Sequence, residues 1–216
     1  MCGRVNVRYR DQFEVPAEKW EVYRNYLILD GLYNAPPGTD IPMIHACDGK
    51  LEARDCHWGI EQNYGNKQYT LANMKAEKMW SGWPHRQLMD TSRCIILVNG
   101  FYEWRRDGSR KQPYYIHPED RGYFAFAGVY RDGDGNRQCS IITTTPNRMM
   151  SDIHNRMPVI LDEDTAPGWI HSDNRELLTA MMQPSDETPM AAYPVSSYVN
   201  NARNDGARCV QPLEQG

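Results

Sequence analysis

Apolar and polar residues alternate along most of this chain, in short runs bounded by Gly, Pro, Asn and Asp. That period of two is the signature of strands with one buried face, and the boundary residues are those of tight turns. Met43-Ile44-His45 and Leu51 to Trp58 predict two strands joined by a turn at Asp48-Gly49. Cys94 to Trp104 predicts one long strand, followed by a turn at Asp107-Gly108. Further strands are expected at Tyr114–Ile116, Tyr123–Tyr130 and Gln138–Thr144, the last two joined across Asp132-Gly133-Asp134-Gly135. Pro158 to Leu161 adds another, and extended segments are expected around Tyr193–Val195 and Cys209–Gln211.

Helical spacing is confined to a few places. Ala17 to Leu29 carries Trp20, Tyr23 and Leu27 on one face and meets a stop at Gly31. A second helix is expected between Trp83 and Thr91, and one or two between Asp164 and Met182, broken near Asp173-Asn174. Tyr33-Asn34-Ala35-Pro36-Pro37-Gly38 reads as a stiff loop, because two prolines fix the backbone and remove donors. Consecutive hairpins with helices set between them predict an α+β fold with antiparallel sheet, a single compact β-rich domain over residues 1–216. No repeat or low-complexity linker divides it.

Composition narrows the class. The 216 residues are 40% hydrophobic and 24% charged, enough to bury a real core and too apolar for a disordered chain. No stretch approaches the ~20 apolar residues that span a bilayer, and the first residues lack the apolar run of a signal peptide. The expected place is the cytoplasm, with no membrane partner. A net charge of −4 argues mildly against a nucleic-acid partner, since phosphate binding needs Lys and Arg. The charge is uneven, however: Arg4, Arg8 and Arg10 cluster, as do Arg105-Arg106 and Arg110-Lys111, so a local basic groove is compatible with the total.

The six cysteines lie at 2, 47, 56, 94, 139 and 209, without the close pairs of a zinc site. No metal or other cofactor is expected. Cys94 and Cys139 sit in apolar runs and read as small buried hydrophobes. Cys2 does not fit that description, because chain termini are rarely core. An initiator Met is normally trimmed before a small second residue, which would leave a thiol and a free α-amine on adjacent carbons of Cys2. That amine has a typical pKa of about 7.7–8.0 against about 10.4 for lysine, so a useful fraction is nucleophilic near neutrality. An aldehyde condenses with it to an imine, and the thiol can close a five-membered thiazolidine. Gly3 leaves room for close approach.

Three further segments carry candidate chemistry. In Val98-Asn99-Gly100-Phe101-Tyr102-Glu103-Trp104, a strand would set Asn99, Phe101 and Glu103 on one face. A carboxylate beside aromatic rings has a raised pKa and suits acid–base work; the bland alternative pairs Glu103 with Arg105 or Arg106. In Asp152-Ile153-His154-Asn155-Arg156-Met157-Pro158, an extended backbone would point His154 and Arg156 the same way, an imidazole beside a phosphate-sized cation. Asn73, Lys75 and Glu77 alternate similarly, and Lys75 could be either a phosphate contact or the partner of Glu77.

Together these segments resemble one family. Met1-Cys2-Gly3-Arg4, the Tyr33–Gly38 loop, Trp58-Gly59, Asn73 with Lys75 and Glu77, Gly100–Trp104, Ile153–Pro158 and Val195-Ser196 through Asn204-Asp205-Gly206 occur in the order seen in SRAP (SOS response-associated peptidase) proteins. The resemblance runs from Met1 to about Pro212. It implies a β-rich fold with a narrow groove for single-stranded DNA containing abasic sites, and a thiazolidine between the N-terminal cysteine and the ring-opened sugar. It implies that Cys2 is the nucleophile, that Asn73 orients the amine or the sugar, that Glu103 helps open the sugar, and that His154 handles protons beside it. Arg4, Lys75 and Arg156 would hold phosphates, Asn34 and Pro37 would shape the pocket, and Trp104 would stack on a base. The chain would act as a monomer, nucleoid-associated when bound to DNA.

Two positions depart from the family pattern. Lys75 stands where arginine is usual, which keeps the charge but not the two-pronged phosphate geometry. After Trp58-Gly59 the chain reads Ile60-Glu61-Gln62-Asn63-Tyr64 in place of a Pro-x-Trp stretch, so Tyr64 takes the place of a stacking tryptophan. Two other functions use the same residue types. Cysteine, asparagine, glutamate and histidine would also serve a thiol autopeptidase or N-terminal-nucleophile amidase. A non-covalent single-strand-binding module would need only Trp104 and its basic neighbours.

Overall fold

A computed structural model describes residues 2–7, 31–119, 122–132, 136–162 and 164–213, apart from the side chain of Tyr64. The expected helix over Ala17–Leu29 lies outside the described residues, as do Met1, Arg8, Arg10 and most of the Asp132–Gly135 turn.

The alternating pattern folds into two main sheets. The smaller contains β1 (Val5–Val7), β2 (Leu32–Ala35), β9 (Gly100–Asp107), β10 (Arg110–Pro118) and β15 (Met190–Pro194), in the order β15-β10-β9-β1-β2. The larger runs β13-β12-β4-β3-β8-β11-β14 and includes β3 (Asp40–Cys47), β4 (Lys50–Trp58), β8 (Arg93–Val98), β11 (Phe124–Asp132) and β12 (Arg137–Thr144). The short strands β13 (Met157–Pro158) and β14 (Ile160–Leu161) flank it. Because β11 also pairs with β12, the strands β12-β4-β3-β8-β11 close into a small barrel. A separate hairpin joins β5 (Ile60–Tyr64) to β6 (Lys67–Leu71), and β7 (Asn73–Lys75) adds to the edge of β12. Most pairing is antiparallel, as the hairpin pattern predicts; β12 pairs in parallel with β4 and β7.

Period-two burial explains how the layers meet. Met43, Ile96, Val98, Phe124, Phe126, Cys139 and Ile141 project from one side of the large sheet and pack with Val5, Val7, Ala35, Phe101 and Ile116 of the small sheet. The alternate residues Ile44, Ile95, Leu97, Ala125, Ala127 and Ile142 project from the other side, where Leu88, Trp169 and Leu178 cover them. These covering residues come from α1 (His85–Thr91), α3 (Ala166–His171) and α4 (Arg175–Met181); α2 (Arg148–Ser151) follows β12. The break expected near Asp173-Asn174 is real: Asn174 caps α4 by accepting from the backbone N–H groups of Glu176 and Leu177.

Three strand expectations and one loop expectation need correction. Pro158 to Leu161 is two short strands, β13 on β12 and β14 on β11, and Tyr33-Asn34-Ala35 of the expected loop lie in β2. Cys94 to Trp104 is not one strand but two, β8 in the large sheet and β9 in the small one, with Asn99 at the corner. Asn99 donates its backbone N–H to Asn6 O (2.8 Å) and its side-chain amide to Gly122 O (3.0 Å), so it fastens the corner instead of sharing a strand face with Glu103. Gly100 follows because the chain passes tightly there: a Cβ would fall 2.5 Å from Ile116 O and 2.6 Å from the Tyr115 ring. Cys209 lies in a 3-10 turn, Ala207–Val210, and the extended backbone begins only at Gln211. Among the described residues no helix is long and apolar enough to cross a membrane.

Candidate functional site

The amino-terminal strand β1 is an interior strand, paired with β2 on one side and β9 on the other. That register pulls the residues before it inside, and Cys2 has no solvent exposure, contrary to the expectation that a terminus stays out of the core. Its Sγ donates to Arg4 O at 3.8 Å, and its carbonyl accepts a 2.7 Å hydrogen bond from Asn73 Nδ2. Asn73 reaches it because β7 is extended, which turns Met74 into the core and sets Asn73 and Lys75 on the opposite side. The Oδ1 of Asn73 is buried and has no hydrogen-bond partner among the described residues. Such a group costs roughly 1–3 kcal/mol, so an acceptor left unspent beside Cys2 calls for a donor.

Glu103, two residues beyond Phe101 on β9, is almost fully buried. Burial pushes its carboxyl up to about 7, with the positive charge of the amino terminus pulling the other way. Its Oε1 lies 3.7 Å from His154 Nδ1, so Glu103 faces the imidazole and not Arg105, whose guanidinium sits over the Tyr114 ring at 4.9 Å. Partial burial holds His154 below its ordinary value, helped by the positive amino terminus, Arg106 and Arg156. The Cys2 thiol is held far above its ordinary value, first by burial and second by the Glu103 charge. An acid half-ionised at neutral pH, a neutral imidazole and a protonated thiol therefore share one site.

His154 and Arg156 do not lie in a strand. The segment is an irregular loop after α2, in which His154 Nδ1 sits 3.1 Å from both the N and the O of Arg156. The imidazole turns to Glu103, whereas Arg156 makes a two-pronged ion pair with Glu77 and also donates to Thr143 O. Glu77 thus takes Arg156 as its ion-pair partner, and Lys75 stays exposed beside them.

Trp104 is half-buried and donates from Nε1 to Asn200 Oδ1 at 2.6 Å. It lines an open cavity of about 340 Å3 with Glu103, His154, Asn200, Arg106 and Lys111. The sequence marked Arg106 and Lys111 only as part of a basic cluster, and Asn200 only as a position inside a longer motif. Arg4 and Asn34 have a different surrounding. Arg4 donates to Asn34 Oδ1 and Val199 O, both at 3.1 Å, and Asn34 Nδ2 donates to the carbonyls of Val199, Asn201 and Asn204. Both clamp the 197–204 segment, which carries Asn200, against β2. Pro37 is exposed on a tight turn closed by Gly38 at φ 91°, and Tyr64 ends β5. No group of three His, Cys, Asp or Glu residues able to hold a metal occurs among the described residues.

The family model for SOS response associated peptidase (SRAP) matches residues 1–202. The chain belongs to that family. It is 34% identical to the abasic site processing protein YoqW of Bacillus subtilis, over 98% of this chain and 99% of that one. It is 27% identical to the abasic site processing protein YedK of Escherichia coli, over 85% of each, and 31% identical to the abasic site processing protein HMCES of Gallus gallus, over 85% of this chain and 67% of the relative. Its fold is similar to the crystal structure of a Bacteroides thetaiotaomicron protein, with a TM-score of 0.78 and 25% identity over 98% of this chain and all of that one. The α+β, mainly antiparallel architecture expected from the hairpin pattern is therefore the family's own.

Proposed function

We propose that this member of the family processes abasic sites by bonding Cys2, freed of Met1, to the ring-opened sugar in single-stranded DNA. The observation that carries the reading is the Asn73 side chain. Its amide nitrogen holds the Cys2 carbonyl at 2.7 Å, and its buried oxygen has no donor. An α-amine on Cys2 would supply that donor and be aimed by it. The amine nitrogen attacks the sugar's aldehyde carbon, the carbonyl oxygen leaves as water, and Sγ adds to the imine carbon while its proton passes to nitrogen. Glu103, titrating near 7, exchanges the proton that opens the sugar, and neutral His154 relays protons beside it. Lys75 and Arg156 hold phosphates at one edge of the site and Trp104 stacks on a neighbouring base, while Arg4, expected to hold a phosphate but committed to Asn34 and Val199, shapes the groove's wall with Asn34 and Pro37.

The thiol separates this from the peptidase reading. A cysteine that attacks amides works as a thiolate, lowered in pKa by a cation or an imidazolium. Cys2 is shifted the other way, by burial and by the Glu103 carboxylate. A thiol that stays protonated until an amine has formed the imine suits ring closure. The test is a denaturing gel of protein with an abasic single strand. Wild type should give a denaturation-resistant adduct, Cys2→Ser should lose the stable product, and Cys2→Ala should give none. Equal adduct from Cys2→Ala would end the assignment of the nucleophile.

A further inference from the structure

The β9–β10 hairpin carries a charge arrangement that the Cys2 chemistry does not use. Its register sets Arg106 directly opposite Lys111. Both side chains are exposed and both line the cavity, beside Trp104 and His154. Like charges directly opposite on neighbouring strands are destabilising. The hairpin's own acids do not relieve this pair: Asp107 is in register with Arg110, and Glu103 is buried against His154. Among the described residues neither Arg106 nor Lys111 has an ion-pair partner. His154 lines the same cavity, and both Arg106 and Arg156 bear on its charge.

We propose that Arg106 and Lys111 form a second phosphate cradle, which grips the backbone of a single strand beside Trp104, in addition to Lys75 and Arg156. This rests on the abasic-strand reading of the cavity and adds to it: the strand must continue past the reactive sugar on both sides. Two facing cations that repel each other when empty become a favourable pair when an anionic oxygen sits between them. Arg105 alternates to the other side of the hairpin and stacks on Tyr114, so it stands outside the cradle.

Binding isotherms with an intact single strand and an abasic single strand, at about 50 and 200 mM salt, test the cradle independently of covalent chemistry. A single strand loses salt dependence by ~0.7 in the log–log slope per phosphate contact removed, so two contacts amount to ~1.4. The apparent Kd of wild type should therefore rise about sevenfold more than that of the R106A/K111A variant over this salt range. The loss should be equal on both strands, R105A should match wild type, and the charge-preserving R106K/K111R exchange should restore the slope. Removing the opposed charges should leave the variant's Tm no lower than that of wild type. An unchanged slope in R106A/K111A while the adduct still forms would overturn the cradle alone. A reduced slope with no adduct from wild type would instead overturn the Cys2 chemistry and keep the cradle. A wild type that binds neither strand would overturn both.

Discussion

Glu103 shows most directly how a single residue trades stability for chemistry. A buried carboxyl titrating near 7 instead of its ordinary 4.5 is favoured in the folded protein only when protonated. Its contribution is fully present below about 4.5 and is lost as the pH rises through about 7. Glu103→Gln keeps the shape and removes the ionisation, so it should gain roughly 1–3 kcal/mol over wild type at pH 8 and lose that advantage at pH 4. Thermal unfolding at the two pH values measures this. The same variant should form the adduct about 10²–10⁴-fold more slowly at saturating DNA, and its rate should lack the bend near pH 7 expected of wild type. A variant that is no more stable and equally fast would leave Glu103 a structural residue. The sequence offered this reading, a Glu between aromatic residues as a shifted acid, beside an ion pair with Arg105 or Arg106, and burial against His154 decides for the first. It did not show the burial of Cys2, which depends on β1 being an interior strand. Only pairing with both Leu32–Ala35 and Gly100–Asp107, distant in sequence, makes it so.

At the scale of elements, the extended segment Asn73–Lys75 could be read from alternation alone, and its two polar residues do share a side. Lys75 is the testable consequence. With Glu77 committed to Arg156, the Lys75 ammonium is available to a phosphate. Lys75→Ala should weaken binding of abasic and intact strands about equally and flatten the salt slope by ~0.7. Lys75→Arg should match or exceed wild type, because a guanidinium grips two oxygens where an ammonium offers a point charge. The adduct rate at saturating DNA should stay the same in both variants; isotherms at two salt concentrations check the first pair of outcomes. Elsewhere local pattern misled. The segment from Cys94 to Trp104 hides a change of sheet, for which Asn99-Gly100 is the visible sign. The alternation of His154 and Arg156 has no strand beneath it; one faces Glu103 and the other Glu77 because the loop after α2 turns between them.

Over the whole molecule, the residues of the proposed site come from places far apart in the chain: residue 2, β7, β9 and the loop after α2. What gathers them is the packing of a five-stranded sheet against a small closed barrel, with the amino-terminal strand in the seam between the two. Net charge says little about this surface, since a −4 chain sets Arg106 and Lys111 together on one open cavity. The architecture also explains why the amine is singular. The described lysines are exposed, whereas an α-amine on Cys2 would be held by Asn73 beside the buried Glu103 carboxyl. An extension left in front of Cys2 should therefore abolish adduct formation without lowering Tm by more than a few degrees. The most direct measurement of the central claim is the intact mass of purified protein after mixing with an abasic single strand. The account predicts one species whose mass is the chain without Met1 plus the strand minus one water, absent with an intact strand. Protein that retains Met1 and still forms the adduct, or an adduct that maps to any residue other than Cys2, would contradict it.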